Sequence, residues 1–214
     1  MKTLKLSLSI LVLSIFFYTG CSTKYVSTAT VPNWEETRVT KVIVIPFIAM
    51  PEGDQKGLRS AKVDPNGVTQ VYSTFYSQFE GLGYLSVPYD EVDKYKLALP
   101  GPVSVNLVRS VGEKTGGDAI LTGVVTRYEE REGGPVGIKK PASVGFEARL
   151  INAKDGTILW TGKYAETQKS LTEDLSMIFI FIQRGGKWLT AEQLARYGVS
   201  EMLKTLPKAK RRDK

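Results

Sequence analysis

Residues 144–150 leave this chain the narrowest choice of fold. Val144, Phe146, Ala148 and Leu150 alternate there with Gly145, Glu147 and Arg149. A period of two belongs to a strand with one buried face and one wet face. Asp155-Gly156 follows and predicts a tight hairpin, because glycine takes positive φ without a Cβ clash and aspartate tolerates the turn. Residues 157–164 then return as a neighbouring strand. Upstream, residues 118–130 read D-A-I-L-T-G-V-V-T-R-Y-E-E and supply a third. The stretch from 118 to 169 is thus expected to form a three-strand antiparallel meander, the spine of a sheet.

Helical and parallel-strand signals lie before and after it. Residues 40–47, T-K-V-I-V-I-P-F, are the nearly continuous apolar run of a strand covered on both faces, with Pro46 confined to its end or an edge because it cannot donate to the ladder. Asp64-Pro65 opens a helix as N-cap and first residue, and Val68, Val71, Tyr72, Phe75 and Phe79 recur at helical spacing until Gly81 and Gly83. Residues 84–87 read as a short strand after this crossover and residues 89–95 as a brief helix. Ser104 is placed to cap a helix with Leu107, Val108 and Val111 inward, ended by Gly116-Gly117. Thr190-Ala191-Glu192-Gln193 is a capping box opening a last helix, whose inward face is Ala195, Gly198, Met202 and Leu206 before Pro207. The fold class expected is α/β (α+β): a mixed sheet with a C-terminal three-strand antiparallel meander and helices packed on it.

Composition removes several chemistries. The 214 residues are 42% hydrophobic and 24% charged, which suits one domain with appendages, and they include no histidine. The usual general base and the commonest metal ligand are therefore missing. One cysteine, Cys21, closes no internal disulfide and builds no thiolate cage. The net charge of +7 is partly local, since Lys208, Lys210, Arg211, Arg212 and Lys214 crowd the end. No nucleic-acid groove is implied. No metal and no cofactor are expected.

The first twenty residues carry Lys2 and Lys5, then a thirteen-residue apolar stretch (6–18), then Thr19-Gly20 before Cys21. That is the layout of a secretory signal peptide, and the apolar stretch falls short of the ~20 residues a membrane-crossing helix needs. The ending Tyr18-Thr19-Gly20-Cys21 resembles a bacterial lipobox, which implies cleavage before a diacylated Cys21 and anchorage by its acyl chains. A free thiol in a secreted protein is the alternative. Ser22, where retained inner-membrane lipoproteins often carry Asp, leans the expectation to the outer membrane and its periplasmic face. The divisions expected are a signal peptide (1–20), a flexible tether (21–39), the α/β domain (40–206) and a basic tail (207–214). The Ser/Thr-rich residues 22–37 show neither structural period and would span about 50 Å if extended.

Residues 177–182 are six consecutive apolar residues, flanked by Glu173 and Asp174 on one side and by Gln183, Arg184 and Gly185-Gly186 on the other. Their pattern leaves open a core segment and an exposed docking surface for a partner, a second copy or a membrane. On the second reading the candidate surface is Met177, Phe179, Phe181 and Trp188, the residue types that anchor interfaces.

Catalytic patterns fail on spacing. Gly112-Glu113-Lys114-Thr115 sits at a helix end and lacks the earlier glycine of a phosphate loop. Glu129, Glu130 and Glu132 cluster at a strand end, but adjacent strand residues point to opposite faces. A hydrolase using Glu129 and Glu132 is the alternative that this leaves. No S-x-x-K or G-x-S-x-G is present. The chain is read as not an enzyme, with no catalytic residues assigned.

Residues 117–123 (G-D-A-I-L-T-G), 146–152 and 155–160 (D-G-T-I-L-W), in that order, resemble the periplasmic lipoproteins related to the curli-secretion channel subunit and the penicillin-binding-protein activator. The resemblance covers roughly residues 41–206. It implies an α/β domain behind a lipidated cysteine, facing the periplasm and binding another envelope macromolecule. An oligomerising subunit of an envelope secretion or transport assembly is the alternative. The long membrane hairpins of the channel subunit have no counterpart, since residues 130–142 cannot supply two strands of the required 9–11 residues.

Overall fold

Among the described residues seven strands form one mixed sheet: β1 (Val26–Thr30), β2 (Lys41–Val44), β3 (Ile48–Ala49), β4 (Leu85–Ser86), β5 (Ala119–Glu129), β8 (Ser143–Asn152) and β9 (Ile158–Thr167). Two short strands, β6 (Glu132–Gly133) and β7 (Ile138–Lys140), make a separate hairpin. The helices are α1 (Pro65–Phe79), α2 (Val105–Thr115), α3 (Ile178–Gln183) and α4 (Ala191–Leu203). The structure is a computed structural model, and it describes residues 25–50, 63–82, 84–87, 104–169 and 178–209. Cys21, Met177, the brief helix expected at 89–95 and the last five residues of the basic tail lie outside these.

The strand order is β1-β9-β8-β5-β2-β4, with β3 also on β5. β2 runs parallel to β4 and β5, whereas β5, β8, β9 and β1 are successively antiparallel. The expected meander is therefore β5-β8-β9. Val144, Phe146, Ala148 and Leu150 all face the core, as their alternation requires. Val42, Ile43, Val44 and Ile45 are fully buried on alternate faces, which is why that run shows no polar phase.

One face of the sheet is covered by α1 and α4, which send Val71, Phe75, Phe79, Leu194, Ala195, Val199 and Met202 into a core with Phe146, Trp160 and Tyr164. The other is covered by α2 over Ile43, Ile45, Ile120 and Ile151. Asp64 caps α1 through Asn66 N–H with Pro65 behind it, and the Thr190/Gln193 box caps α4 reciprocally. In α2, Val108 and Val111 point inward but Leu107 is exposed, contrary to expectation. Ser104 stands at the N-cap position without a side-chain capping bond.

The reading of residues 21–39 as a tether is corrected from Tyr25 onward. Val26–Thr30 pairs with β9 from Val26↔Tyr164 to Thr30↔Trp160 as an edge strand. Trp34 and Val39 are then buried. Serines and threonines hid this strand because its exposure alternates at an edge where small polar side chains suffice.

The G-D-A-I-L-T-G motif is structural. Gly116 ends α2 in the left-handed conformation, φ 66°. An added Cβ on Gly117 would lie 2.5 Å from Ile43, so glycine lets α2 close onto β2. The Asp118 carboxylate accepts from Thr40 N–H, Thr40 Oγ1 and Lys41 N–H at 2.8–2.9 Å, pinning the start of β2 to the start of β5. Lys41 Nζ meanwhile caps the Thr115 carbonyl at 2.7 Å, a cation on the negative end of α2.

Candidate functional site

From Ile178 to Ile182 every residue is a better strand former than helix former, yet the segment folds as the short helix α3. Its end explains why. Gly185 and Gly186 take φ of 76° and 68°, and their N–H groups reach back to the carbonyls of Ile182 and Phe181 at 2.9 Å each. These bonds form a Schellman closure, which needs a left-handed residue after the last turn. None of the six residues of α3 is buried: Phe179 is 73% exposed and Ile182 63%.

Charged and polar groups hold this helix to the sheet. Arg184 meets Glu166 of β9 through two bonds, Nη1 to Oε1 at 2.6 Å and Nη2 to Oε2 at 3.0 Å, with the Glu166 side chain fully buried. Tyr164 donates to Glu166 Oε2 at 2.8 Å, and the Arg184 guanidinium lies 5.1 Å from the centre of the Tyr197 ring. Burial disfavours the Arg184 charge, but the bonds and charge of Glu166 outweigh it and hold its pKa above the usual value. Burial, reinforced by the Glu166 charge, pushes the Tyr164 hydroxyl well up, so it stays a donor. Beyond the glycines, Gln168 bridges the Leu189 N–H and carbonyl at 3.1 and 3.0 Å in the amide orientation that satisfies both. Trp188 N–H donates to Pro135 O and Arg131 to Trp188 O, which ties the β6–β7 hairpin to the same segment.

These contacts cluster at one pole, where β5 and β9 end and β1 begins. Tyr25 O accepts from Ala165 N–H at 3.0 Å, so the chain enters the fold beside the residue that precedes Glu166.

The opposite pole carries an open cleft of about 1030 Å³, between residues 31–39, the end of α2 and the β8–β9 turn. Val39 and Leu159 are buried at its base, while Arg38, Glu113 and Lys154 stand exposed at its rim. The turn is rigidly built. Gly156 has φ 77°, Asp155 accepts from Thr157 N–H at 2.9 Å, and Arg109 Nε reaches Lys154 O at 3.1 Å. That Thr157 N–H bond holds the Asp155 carboxyl below its ordinary range. Mixed charge around an apolar base suits recognition of a polar macromolecular segment.

Of the candidate surface residues, Phe179 projects outward and Phe181 is half-buried against Trp188, ring centroids 4.9 Å apart. Trp188 is a correction: it is buried, and it serves as the platform for α3 rather than as part of an outer surface. Of the six-residue apolar run 177–182, the described part, Ile178–Ile182, supplies no buried residue, contrary to the core reading. The three carboxylates of the first hairpin part company. Glu129 pairs with Lys140 at 2.7 Å, Glu130 accepts from Ala191 N–H at the start of α4, and Glu132 is exposed on β6. Gly112–Thr115 is the last turn of α2, where a Cβ on Gly112 would lie 2.6 Å from Ala153. Among the described residues no group of His, Cys, Asp and Glu is arranged to hold a metal ion, and no helix is long and apolar enough to cross a membrane.

The ion pair and the cleft escaped the sequence reading. A signal for the first existed, since Trp160, Gly162, Tyr164, Glu166 and Gln168 are one phase of β9 and its continuation, all buried. A carboxylate in an inward phase needs a partner. The cleft had none, because its walls meet from three separate parts of the chain.

No family model matches the sequence, and no curated protein matches it. Solved structures match in fold. A subunit of the PelC dodecamer from Paraburkholderia phytofirmans is 14% identical, with a TM-score of 0.52, over 87% of this chain and 98% of its own. A lipoprotein from Neisseria meningitidis is 19% identical over 68% of this chain and 95% of its own, with a TM-score of 0.43. The LpoB C-terminal domain from Salmonella enterica is 12% identical over 62% and 85%, with a TM-score of 0.38. At 14% identity the likeness to the PelC subunit is one of fold alone.

Proposed function

We propose that this chain is a lipid-anchored cell-envelope protein that serves as a binding or accessory module for another envelope macromolecule, without turning over a substrate. The observation that carries this reading is the opposition of its two poles. β1 brings the chain in at one end of the sheet, five residues after Cys21, and the polar cleft opens at the other. Acylation of Cys21, which the signal-peptide layout before it supports, gives the protein its membrane. On this reading the membrane is the outer one and the protein lies on its periplasmic face. The cleft would then face away from the lipid, where a partner can reach it.

Photo-crosslinking in intact cells tests the module. A crosslinking residue placed at Lys154 should give covalent adducts with a second macromolecule, and one at Leu85, exposed on the β4 edge, should not. Adducts equal at both sites, or absent from Lys154, would remove the cleft from the account.

An oligomerising subunit of an envelope assembly is the second reading. It is favoured by the PelC subunit of similar fold, which comes from a dodecamer, and by the edge position of β1 in the sheet. Light scattering on the detergent-solubilised protein separates the two, since a single-chain mass at micromolar concentration contradicts the oligomer.

A further inference from the structure

We propose that the pole carrying α3 and the β6–β7 hairpin rests on the lipid surface that anchors the chain, so that the domain sits on the membrane with a fixed face down. The inference rests on the acylated Cys21 of the preceding section and adds an orientation to it. Its first support is reach. Four residues, 22–25, separate Cys21 from β1, and at the fully extended length per residue they span about 14 Å. That is a small fraction of the tether expected from sequence. Its second support is where those residues end. Tyr25 is bonded to Ala165, and the next residue, Glu166, holds the arginine that follows α3.

What that pole presents fits a lipid interface. Ile178, Phe179 and Ile182 are exposed on α3, and Val136, 74% exposed, tips the hairpin joined to α3 through Trp188. Lys139 and Lys187 are exposed beside them, cations that complement anionic headgroups, although Glu132 also lies on the hairpin. Aromatic and aliphatic side chains flanked by lysines sink into the headgroup boundary of a bilayer without spanning it. A short tether that ends beside such a patch keeps the two in permanent proximity, so even weak insertion is favoured by effective concentration.

The test uses the full-length acylated protein in vesicles of phosphatidylethanolamine and phosphatidylglycerol. Cys21 is the one cysteine of the sequence, and acylation blocks it, so F179C or L85C supplies the reactive thiol for an environment-sensitive dye. With a quencher on the lipid headgroups, dye at position 179 should lose most of its emission and dye at position 85 should keep it. Equal quenching at both positions, or none at 179 in protein that floats with the vesicles, overturns the orientation while leaving the anchor intact. A change at 179 that follows protein concentration and ignores the lipid quencher assigns the patch to a second copy, and also overturns it. Protein that fails to float, with a free Cys21 thiol, overturns the anchored reading itself.

Discussion

Gly123 sits in β5 where an added Cβ would lie 2.2 Å from the Phe47 ring and 2.6 Å from the Glu147 carbonyl. The ring can turn aside, but the backbone oxygen of the paired strand cannot. Gly123→Ala should therefore destabilise the domain by about 2 kcal/mol, as overpacking does, read from urea unfolding. Gly156→Val meets a different obstacle, a φ of 77° and Val105 at 2.8 Å, and should cost about 1 kcal/mol or more. Arg184→Met leaves the Glu166 carboxylate buried without its cation, with the Tyr164 hydroxyl still donating to it, and should cost about 3 kcal/mol. Adding Glu166→Gln should recover part of that loss, because the stranded charge is gone. At Asp155 the sign is set by a depressed pKa. Its stabilising effect is complete above the unfolded value of about 3.9 and fades as pH falls through the lower folded value. Asp155→Asn should therefore flatten the acid-side slope of stability below about pH 4, and at neutral pH it should forfeit the contribution of the ionised carboxylate.

At the scale of elements, what the sequence made legible follows burial on one face. β8 and β9, α1 and α4 announce themselves because alternation or helical spacing is imposed by a core on one side, and their caps are local. β1 was illegible because an edge strand of Val-Ser-Thr-Ala-Thr buries little, so its partner rather than its own pattern makes it a strand. α3 was legible as an anomaly but not as a helix. Six apolar residues carry no period, and the closure that fixes them lies in Gly185-Gly186, outside the run. The site divides the same way: Phe179 was found by residue type, whereas Trp188 was assigned to the wrong side of the helix, since type does not say which aromatic lies beneath. Phe179→Ser should accordingly leave the urea midpoint within about 0.5 kcal/mol of the parent, as exposed substitutions do. Phe181→Ser, which removes the stack on Trp188, should lower it measurably. Equal losses in both variants would mean that α3 is packed on both sides.

For the molecule as a whole, the sheet acts as a spacer with different chemistry at its ends. Chain entry, the exposed apolar helix and the basic hairpin share one pole. The polar cleft, formed by the turn at Gly156, the end of α2 and residues 31–39, occupies the other. On the proposed reading the order of elements has a function, because an edge strand that starts beside Ala165 would set which end of the domain meets the anchor. The whole arrangement depends on Cys21 being that anchor. Intact-mass spectrometry of the protein extracted from its native membrane tests it most directly. The expected result is a mature chain that begins at Cys21 and carries the added mass of acyl chains on that residue; a chain that retains Met1, or one with an unmodified Cys21 thiol, would contradict the anchor.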